Sequence, residues 1–251
     1  MRINKASDDA ASLAIAMSLQ KDIRVSNVAI RNANDGVSML SIADGAMAEI
    51  TSVLTRMSEL AQQSANGVYS NAQRSAISNE FVALASEIER VSTTTRFNGI
   101  NLLSNSSGIN LQVGINGSYS SIILVSQVSG TLSSLSLASS GSSALTYSII
   151  SDTVTNSQAA ARTALQAVTT AIENIASQRG SIGAAESRLS SAIGNLSSAR
   201  ENFTAALSRI QDVDVAVEAA ELVKLQILSQ ASTAILAQAN QQPALALQLL
   251  S

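Results

Sequence analysis

From Leu165 to Ile210 apolar side chains return every seven positions, at Ile175, Ile182, Leu189, Leu196, Phe203 and Ile210. Leu165, Val168, Ile172, Ile193 and Leu207 fill the flanking three-four positions, and no proline or glycine pair interrupts the run. A seam of this regularity predicts a long helix laid against other long helices rather than one wrapped round a pocket. A helix of about 55 residues spans roughly 80 Å, so the pattern predicts a rod.

The first half of the chain supplies partners for that helix. Ser7 precedes Asp8-Asp9 and an alanine-rich run, which predicts an N-cap at Ser7 with acidic residues at the positive end of the helix dipole. The other reading of the two carboxylates, a metal or acid–base pair, has no histidine anywhere in the chain to support it. Met39, Ala43, Ala46, Ile50, Val53, Met57 and Leu60 alternate three-four spacing within a helix over about 7–65, the methionines acting as core fillers. Asn66-Gly67 predicts a left-handed stop. A second helix follows over about 71–95, with Ile77, Phe81, Leu84, Ile88 and Val91 on one face.

Ile109, Leu111, Val113 and Ile115 then alternate with polar residues up to Asn116-Gly117, which predicts a β-hairpin over about 109–125 with a two-residue turn and a return strand from Tyr119 to Val125. Residues 126–151 are crowded with serine and glycine and read as a surface loop or tip without a core of its own. The long helix occupies about 153–211. The order predicts a mainly α fold: an elongated antiparallel helical bundle with a small β-hairpin cap and both chain ends at one end of the rod.

Composition agrees with thin layers between helices. Hydrophobic residues make up 46% of the 251-residue chain but aromatic residues only 2%, so the apolar mass is Ala, Leu, Ile and Val rather than the large rings of a globular core. A net charge of −3, with no basic cluster, argues against nucleic acid as a partner. No cleavable secretory signal is legible at the N-terminus, and no run of about 18 apolar residues predicts a membrane span. The absence of histidine and cysteine removes the commonest bases, nucleophiles and metal ligands, and no phosphate-cradling glycine loop appears. The expectation is a non-enzyme with no catalytic, cofactor or metal site. Asp212 and Asp214 read as the joint between two helices rather than as a metal site. Sequons at Asn105, Asn116, Asn195 and Asn202 carry little weight by themselves.

Past Asp214 the pattern changes. Val217, Leu222, Val223, Leu225, Ile227, Leu228, Ile235, Leu236, Leu245, Leu247, Leu249 and Leu250 spread too widely for one stripe, so more than one side of this tail calls for burial. Few residues precede Ser7 to cover it. A surface of this kind marks an assembly site or an aggregation hazard.

Several motifs, in order, resemble those of the bacterial flagellins. They are Arg2-Ile3-Asn4-Lys5-Ala6-Ser7-Asp8-Asp9-Ala10-Ala11, Arg31-Asn32-Ala33-Asn34-Asp35-Gly36, Glu59-Leu60-Ala61, Gln63-Ser64-Ala65-Asn66-Gly67 and Phe97-Asn98-Gly99. Near the other end stand Ser208-Arg209-Ile210-Gln211-Asp212-Val213-Asp214 and Leu236-Ala237-Gln238-Ala239-Asn240-Gln241. The resemblance implies a D1 rod domain over 1–211 and the C-terminal D0 segment over 212–251. Flagellins begin well before the Arg-Ile-Asn motif, so the resemblance also implies that the N-terminal D0 helix segment is lacking here.

By the same resemblance the chain is a structural subunit of the flagellar filament that polymerises with other flagellin subunits for motility. It is secreted unfolded through type III export after capture in the cytoplasm by an export chaperone, and it meets filament cap and junction proteins. Leu222, Leu225, Leu228, Ile235, Leu236, Leu247 and Leu250 are the expected chaperone and polymerisation surface. Arg56, Glu59, Leu60 and Glu80 are the expected face for a Toll-like innate receptor, with Thr55 and Ser58 standing where the strongly recognised pattern has Gln and Arg. The alternatives are a flagellin-like hook–filament junction protein and a secreted helical adhesin or antigen.

Overall fold

The computed structural model describes residues 3–105 and 107–249, with side chains described as far as residue 240. Helix α1 spans Ala10–Ala65, α2 Asn71–Thr94, α3 Val154–Gln211 and α4 Val215–Leu249. Between α2 and α3 lie two antiparallel strand pairs, β1 (Arg96–Phe97) with β2 (Ile100–Asn101) and β3 (Ile109–Gln112) with β4 (Ile122–Val125). The chain forms two compact units, Arg24–Glu201 and Met1–Ile23 with Asn202–Ser251.

In the Arg24–Glu201 unit, α1 and α3 run antiparallel, as their cross-links show. Asp44 pairs with Arg179, Ser41 donates to Glu186, and Arg200 donates to Asn27, so one number falls as the other rises. The heptad positions Val168, Ile175, Ile182 and Leu189 are buried against Leu40, Met47, Ile50, Leu54 and Met57 of α1 and Phe81 and Ile88 of α2 in one core. The three-four pattern of α1 is therefore a core face, methionines included. One 18-residue window of α1 reaches a mean hydropathy of 1.3, and 39% of it is buried inside the fold.

The seam closes less far than its regularity predicts. Leu196, Phe203 and Ile210 are only half-buried. Leu189, the last sealed position, and Leu111 of β3 both close over Gly36: a Cβ at residue 36 would meet Leu111 Cδ1 at 2.5 Å and Leu189 Cδ1 at 3.3 Å. In the other unit Leu13, Leu19 and Ile23 of α1 and Phe203, Leu207 and Ile210 of α3 are likewise half-buried. A side chain covered from one side only keeps part of its apolar area in water.

Four local expectations are corrected. Helix α1 is capped by Asp9, not Ser7: Asp9 Oδ1 accepts from the Ala11 and Ser12 amides at 3.0 and 3.1 Å. Asp8 Oδ2 instead accepts from the Lys5 and Asn4 amides at 3.0 and 3.1 Å, and these bonds hold its carboxyl below the ordinary value. At the end of α1, Gly67 is not left-handed.

The tight asparagine–glycine turn sits at Asn98-Gly99, where φ is 49° and 79° between the paired residues Phe97 and Ile100. At Asn116-Gly117 the chain makes a longer connection, and residues 119–121 form a 3-10 turn before β4 begins at Ile122. Val113 and Gly114 both donate to the Ser121 carbonyl, at 2.9 and 3.0 Å, a β-bulge that ends the ladder. A Cβ at residue 114 would lie 2.3 Å from Ser121 Cβ, so glycine is required there.

The largest correction concerns 126–151. Val128, Leu132, Leu135, Leu137, Ala138 and Ile149 are all buried in the main core. The turn that carries them is fastened by Glu89, whose Oε2 accepts from the Leu132 amide at 3.0 Å, and by Gln178, whose Oε1 accepts from the Ser129 amide at 2.6 Å. This segment is a lid on the bundle rather than a surface tip.

Asp44 and Arg179 form a two-point ion pair between α1 and α3, Nε to Oδ1 at 2.7 Å and Nη2 to Oδ2 at 3.0 Å. The Arg179 hydrogen bond lowers the Asp44 carboxyl below its ordinary 3.8. A depressed carboxylate stabilises the fold above the unfolded value, and that contribution is lost as pH falls through the lower folded value. Both side chains are more than a third exposed, so the pair contributes only about 0.5–1 kcal/mol. Arg179→Gln should show that loss in urea unfolding at about pH 7 and progressively less of it as pH falls below the ordinary carboxylate range; a difference that does not shrink on acidification would refute the assignment.

Candidate functional site

Two surfaces carry the expected functional residues, one on each compact unit. The first is α4. Helix α3 ends at Gln211, and Asp214 restarts the helix: its Oδ1 accepts from the Ala216 and Val217 amides at 2.9 and 3.4 Å. Glu218 adds a favourable charge to the first turn, and Glu221 pairs with Lys224 at 3.1 Å. Asp212 and Asp214 thus mark a helix joint.

The large apolar side chains of the described part of α4 are open. Leu222 is 56% exposed and Ile235 69%, with Leu225, Leu228 and Leu236 also more than half exposed. At about 100° per residue these side chains, together with Val215, Val217, Val223 and Ile227, point in every direction round the helix. Such a helix satisfies none of its apolar sides with a single groove and is stable in water only when surrounded. Leu247 lies in the helical backbone beyond the described side chains, and Leu250 lies outside the described residues.

The second surface is where α1 faces α2. Arg56 Nε donates to Glu80 Oε1 of α2 at 2.9 Å, and Nη1 donates to Glu59 Oε2, one turn on, at 2.8 Å. The Glu59 bond first and the Glu80 bond second raise the Arg56 guanidinium above its ordinary value. All three side chains are roughly half exposed. Leu60 does not join them: it is 2% exposed and sits in the core. Four-residue spacing places Arg56 and Leu60 on one face, but the edge of the helix–helix contact falls between them.

One residue with a large structural role is not singled out by the sequence pattern. Arg74 is completely buried, and its guanidinium donates to the carbonyls of Ser64 at 2.9 Å, Asn66 at 2.7 Å and Val154 at 3.4 Å. It closes the end of α1, the turn into α2 and the start of α3 with one planar group. The Ser70 and Gln73 capping box on the preceding residues fixes the start of α2 and so aims Arg74. A signal for it does exist: Arg74, Ile77, Phe81, Ala85 and Ile88 continue one three-four stripe, so the arginine lies on the buried face.

Among the described residues no cluster of metal-ligating side chains is present. The two surfaces are therefore a helix with exposed apolar side chains and an exposed ion-pair cluster.

Comparison with known proteins bears on what assembles. The model of the bacterial flagellin N-terminal helical region matches residues 1–108, and that of the bacterial flagellin C-terminal helical region matches 165–250. The stretch between the two matches holds the β3–β4 pair and the 126–151 lid. Flagellin of Halalkalibacterium halodurans is 41% identical over 251 residues, covering 100% of this chain and 88% of that protein. Flagellin of Bacillus subtilis is 40% identical over 271 residues, covering 100% and 89%.

Among solved structures, Bacillus cereus flagellin aligns with a TM-score of 0.54 at 25% identity, over 66% of this chain and 88% of that one. A putative flagellar hook-associated protein from Vibrio parahaemolyticus aligns with a TM-score of 0.66 over 82% of this chain and 100% of that one. At 16% identity the second likeness is one of fold.

Proposed function

The chain belongs to the bacterial flagellins and is a structural subunit of the flagellar filament, and on that premise we propose that α4 is the surface through which it polymerises and by which it is held before export. Flagellin subunits assemble with one another into this extracellular appendage, and the chain is not an enzyme. The reading of α4 rests on one observation: its apolar side chains face water on all sides of the helix. Residues 1–211 then act as the D1 rod domain and 212–251 as the D0 segment. Leu222, Leu225, Leu228, Ile235 and Leu236, with Leu247 and Leu250, form the sticky face.

Before assembly the same face suits a cytoplasmic export chaperone, which would shield it until type III secretion of the unfolded chain. After export, the filament cap and junction proteins are its neighbours, and motility is the outcome. The junction-protein and adhesin alternatives are not favoured, because the full-length identities are to flagellins.

The test compares a Leu225→Asp, Leu228→Asp double variant with the parent in a flagellin-deficient cell, both chains preceded by the N-terminal helical segment that the resemblance expects. Filaments seen by electron microscopy should disappear, and the melting temperature of the monomer should change by less than about 2 °C, because both positions are exposed. Normal filaments would refute the polymerisation role. Removal of 212–251 should abolish capture by the chaperone, and undiminished capture would place its site elsewhere.

The innate-receptor reading is narrower. Arg56, Glu59 and Glu80 form the exposed part of the face, with Leu60 supporting it from the core. Arg56→Ala removes both ion pairs of the cluster and should weaken receptor signalling without lowering the melting temperature by more than about 2 °C. Signalling at the parent level would leave this cluster an ordinary solvated ion-pair network.

A further inference from the structure

Asparagine followed by glycine occurs at Asn66-Gly67, Asn98-Gly99 and Asn116-Gly117. In such a pair the glycine nitrogen can close on the asparagine side-chain carbonyl, since the second residue has no Cβ to crowd the approach. The three pairs share this chemistry but not their surroundings.

Asn66 is tied at three atoms. Its amide donates to Gln63 O at 3.2 Å, its Oδ1 accepts from the Val68 amide at 3.2 Å, and its carbonyl accepts from the buried Arg74 at 2.7 Å. Gly67 is also crowded, since a Cβ there would meet Gln158 Nε2 at 3.0 Å. Asn98 is fixed by its turn. Both it and Gly99 are left-handed, the pairs Phe97↔Ile100 and Arg96↔Asn101 close the strands on either side, and Leu102 N donates to Thr95 O at 3.1 Å behind them. The backbone rotation that ring closure needs would undo this hairpin.

Asn116 has no such restraint. Its side chain makes no hydrogen bond among the described residues, and its carbonyl is held only by the flexible Gln112 side chain, at 2.8 Å. Residues 116–120 are all exposed, and the space round Gly117 is open.

We propose that Asn116 is a site of spontaneous deamidation in the folded protein, with water as co-reactant, and that Asn66 and Asn98 are protected by the fold. The Gly117 amide loses its proton, and its nitrogen bonds to Asn116 Cγ. The Cγ–Nδ2 bond breaks, and nitrogen leaves as ammonia with the proton. The resulting five-membered cyclic imide is opened by one water at either carbonyl, giving aspartate or isoaspartate. Nothing is oxidised or reduced. The product carries one more negative charge on the β3–β4 connection, and in the isoaspartate form one more methylene in the backbone.

The full chain is held folded in mildly alkaline buffer and, in parallel, unfolded in concentrated urea. Peptides covering the three pairs are then quantified by mass spectrometry, and isoaspartate by enzymatic methylation. In the folded chain Asn116 should convert on the order of tenfold faster than Asn66 or Asn98, and in urea the three rates should converge, because local opening no longer limits two of them. Gly117→Ala should slow conversion at Asn116 by on the order of tenfold, since the added Cβ crowds ring closure. The proposal is overturned if Asn66 or Asn98 matches or outpaces Asn116 in the folded chain, if Asn116 stays intact while the unfolded chain reacts, or if Gly117→Ala leaves the rate unchanged.

Discussion

Replacing Arg74 by alanine is expected to lower the stability of the Arg24–Glu201 unit by about 3–5 kcal/mol, which is roughly 10 °C in melting temperature for a unit of this size. The reason is the position of the guanidinium. It is fully buried, and its partners are the main-chain carbonyls of Ser64, Asn66 and Val154. The last carbonyls of a helix have no partner within it, and the structure brings no left-handed glycine to turn back and satisfy those at the end of α1. Arg74 supplies the donors from α2 instead.

Truncation leaves these acceptors unpaired and opens a hole beneath them. Arg74→Lys keeps the charge but presents a compact ammonium in place of a planar fork, so it should recover only part of the loss, leaving a deficit of about 2 kcal/mol. Urea unfolding followed by circular dichroism measures both variants. An Arg74→Ala protein within about 0.5 kcal/mol of the parent, the range of ordinary surface changes, would show that the clamp is dispensable.

Leu135→Ala is expected to destabilise the same unit by about 2–5 kcal/mol, the usual range for a large-to-small change in a close-packed core. Leu135 is 0% exposed and belongs to the cluster that includes Ile50, Leu103 and Phe81. A leucine in a solvated loop would lose only about 0.5 kcal/mol or less on the same substitution, so the experiment separates a lid from a surface tip by a wide margin. Leu189→Ala on α3 is the natural standard, since that position is equally buried. Should Leu135→Ala unfold at the parent's urea midpoint while Leu189→Ala does not, the 126–151 segment would not be part of the cooperative core.

These two cases mark where the sequence is legible and where it is not. The helices are readable because periodicity is a local property: Ile175, Ile182 and Leu189 must lie on one side of α3 whatever covers them. The exposed apolar tail is readable for the same reason, since Leu222, Leu225, Leu228, Ile235 and Leu236 cannot share one stripe. What periodicity does not report is the identity of the cover. Leu132, Leu135 and Leu137 are spaced among serines and glycines with no helical or strand period, and irregular chain buries side chains through contacts that only the assembled fold supplies. Glu89 and Gln178, which fasten the lid, stand 43 and 49 residues away in sequence from the amides they hold.

The turns obey the same logic at a smaller scale. The asparagine–glycine signal is sound chemistry at Asn98, where strand pairing on both sides makes use of it, and goes unused at Asn116, where a bulge at Val113-Gly114 ends the ladder first. Leu60 falls on the buried side of a helix edge because four-residue spacing fixes an angle between two side chains, not the direction in which the neighbouring helix lies. Arg74 is hard to read because a charge on a buried stripe looks like an interruption until its acceptors are in place.

By itself, then, the sequence determined that the chain is a set of long helices with a small β element, that it holds no histidine or cysteine, and that its C-terminal helix carries large apolar residues on every side. Those properties follow from residue type and short-range geometry. Only the tertiary structure decided that the heptad seam is sealed as far as Leu189 and half-open beyond it, and that a serine-rich segment closes the core. It also decided that Arg56, Glu59 and Glu80 meet at the surface while Leu60 turns into the core, and that one buried arginine ties three elements together. Each of these depends on groups far apart in sequence, whose meeting is set by packing and by the need of every buried polar atom for a partner.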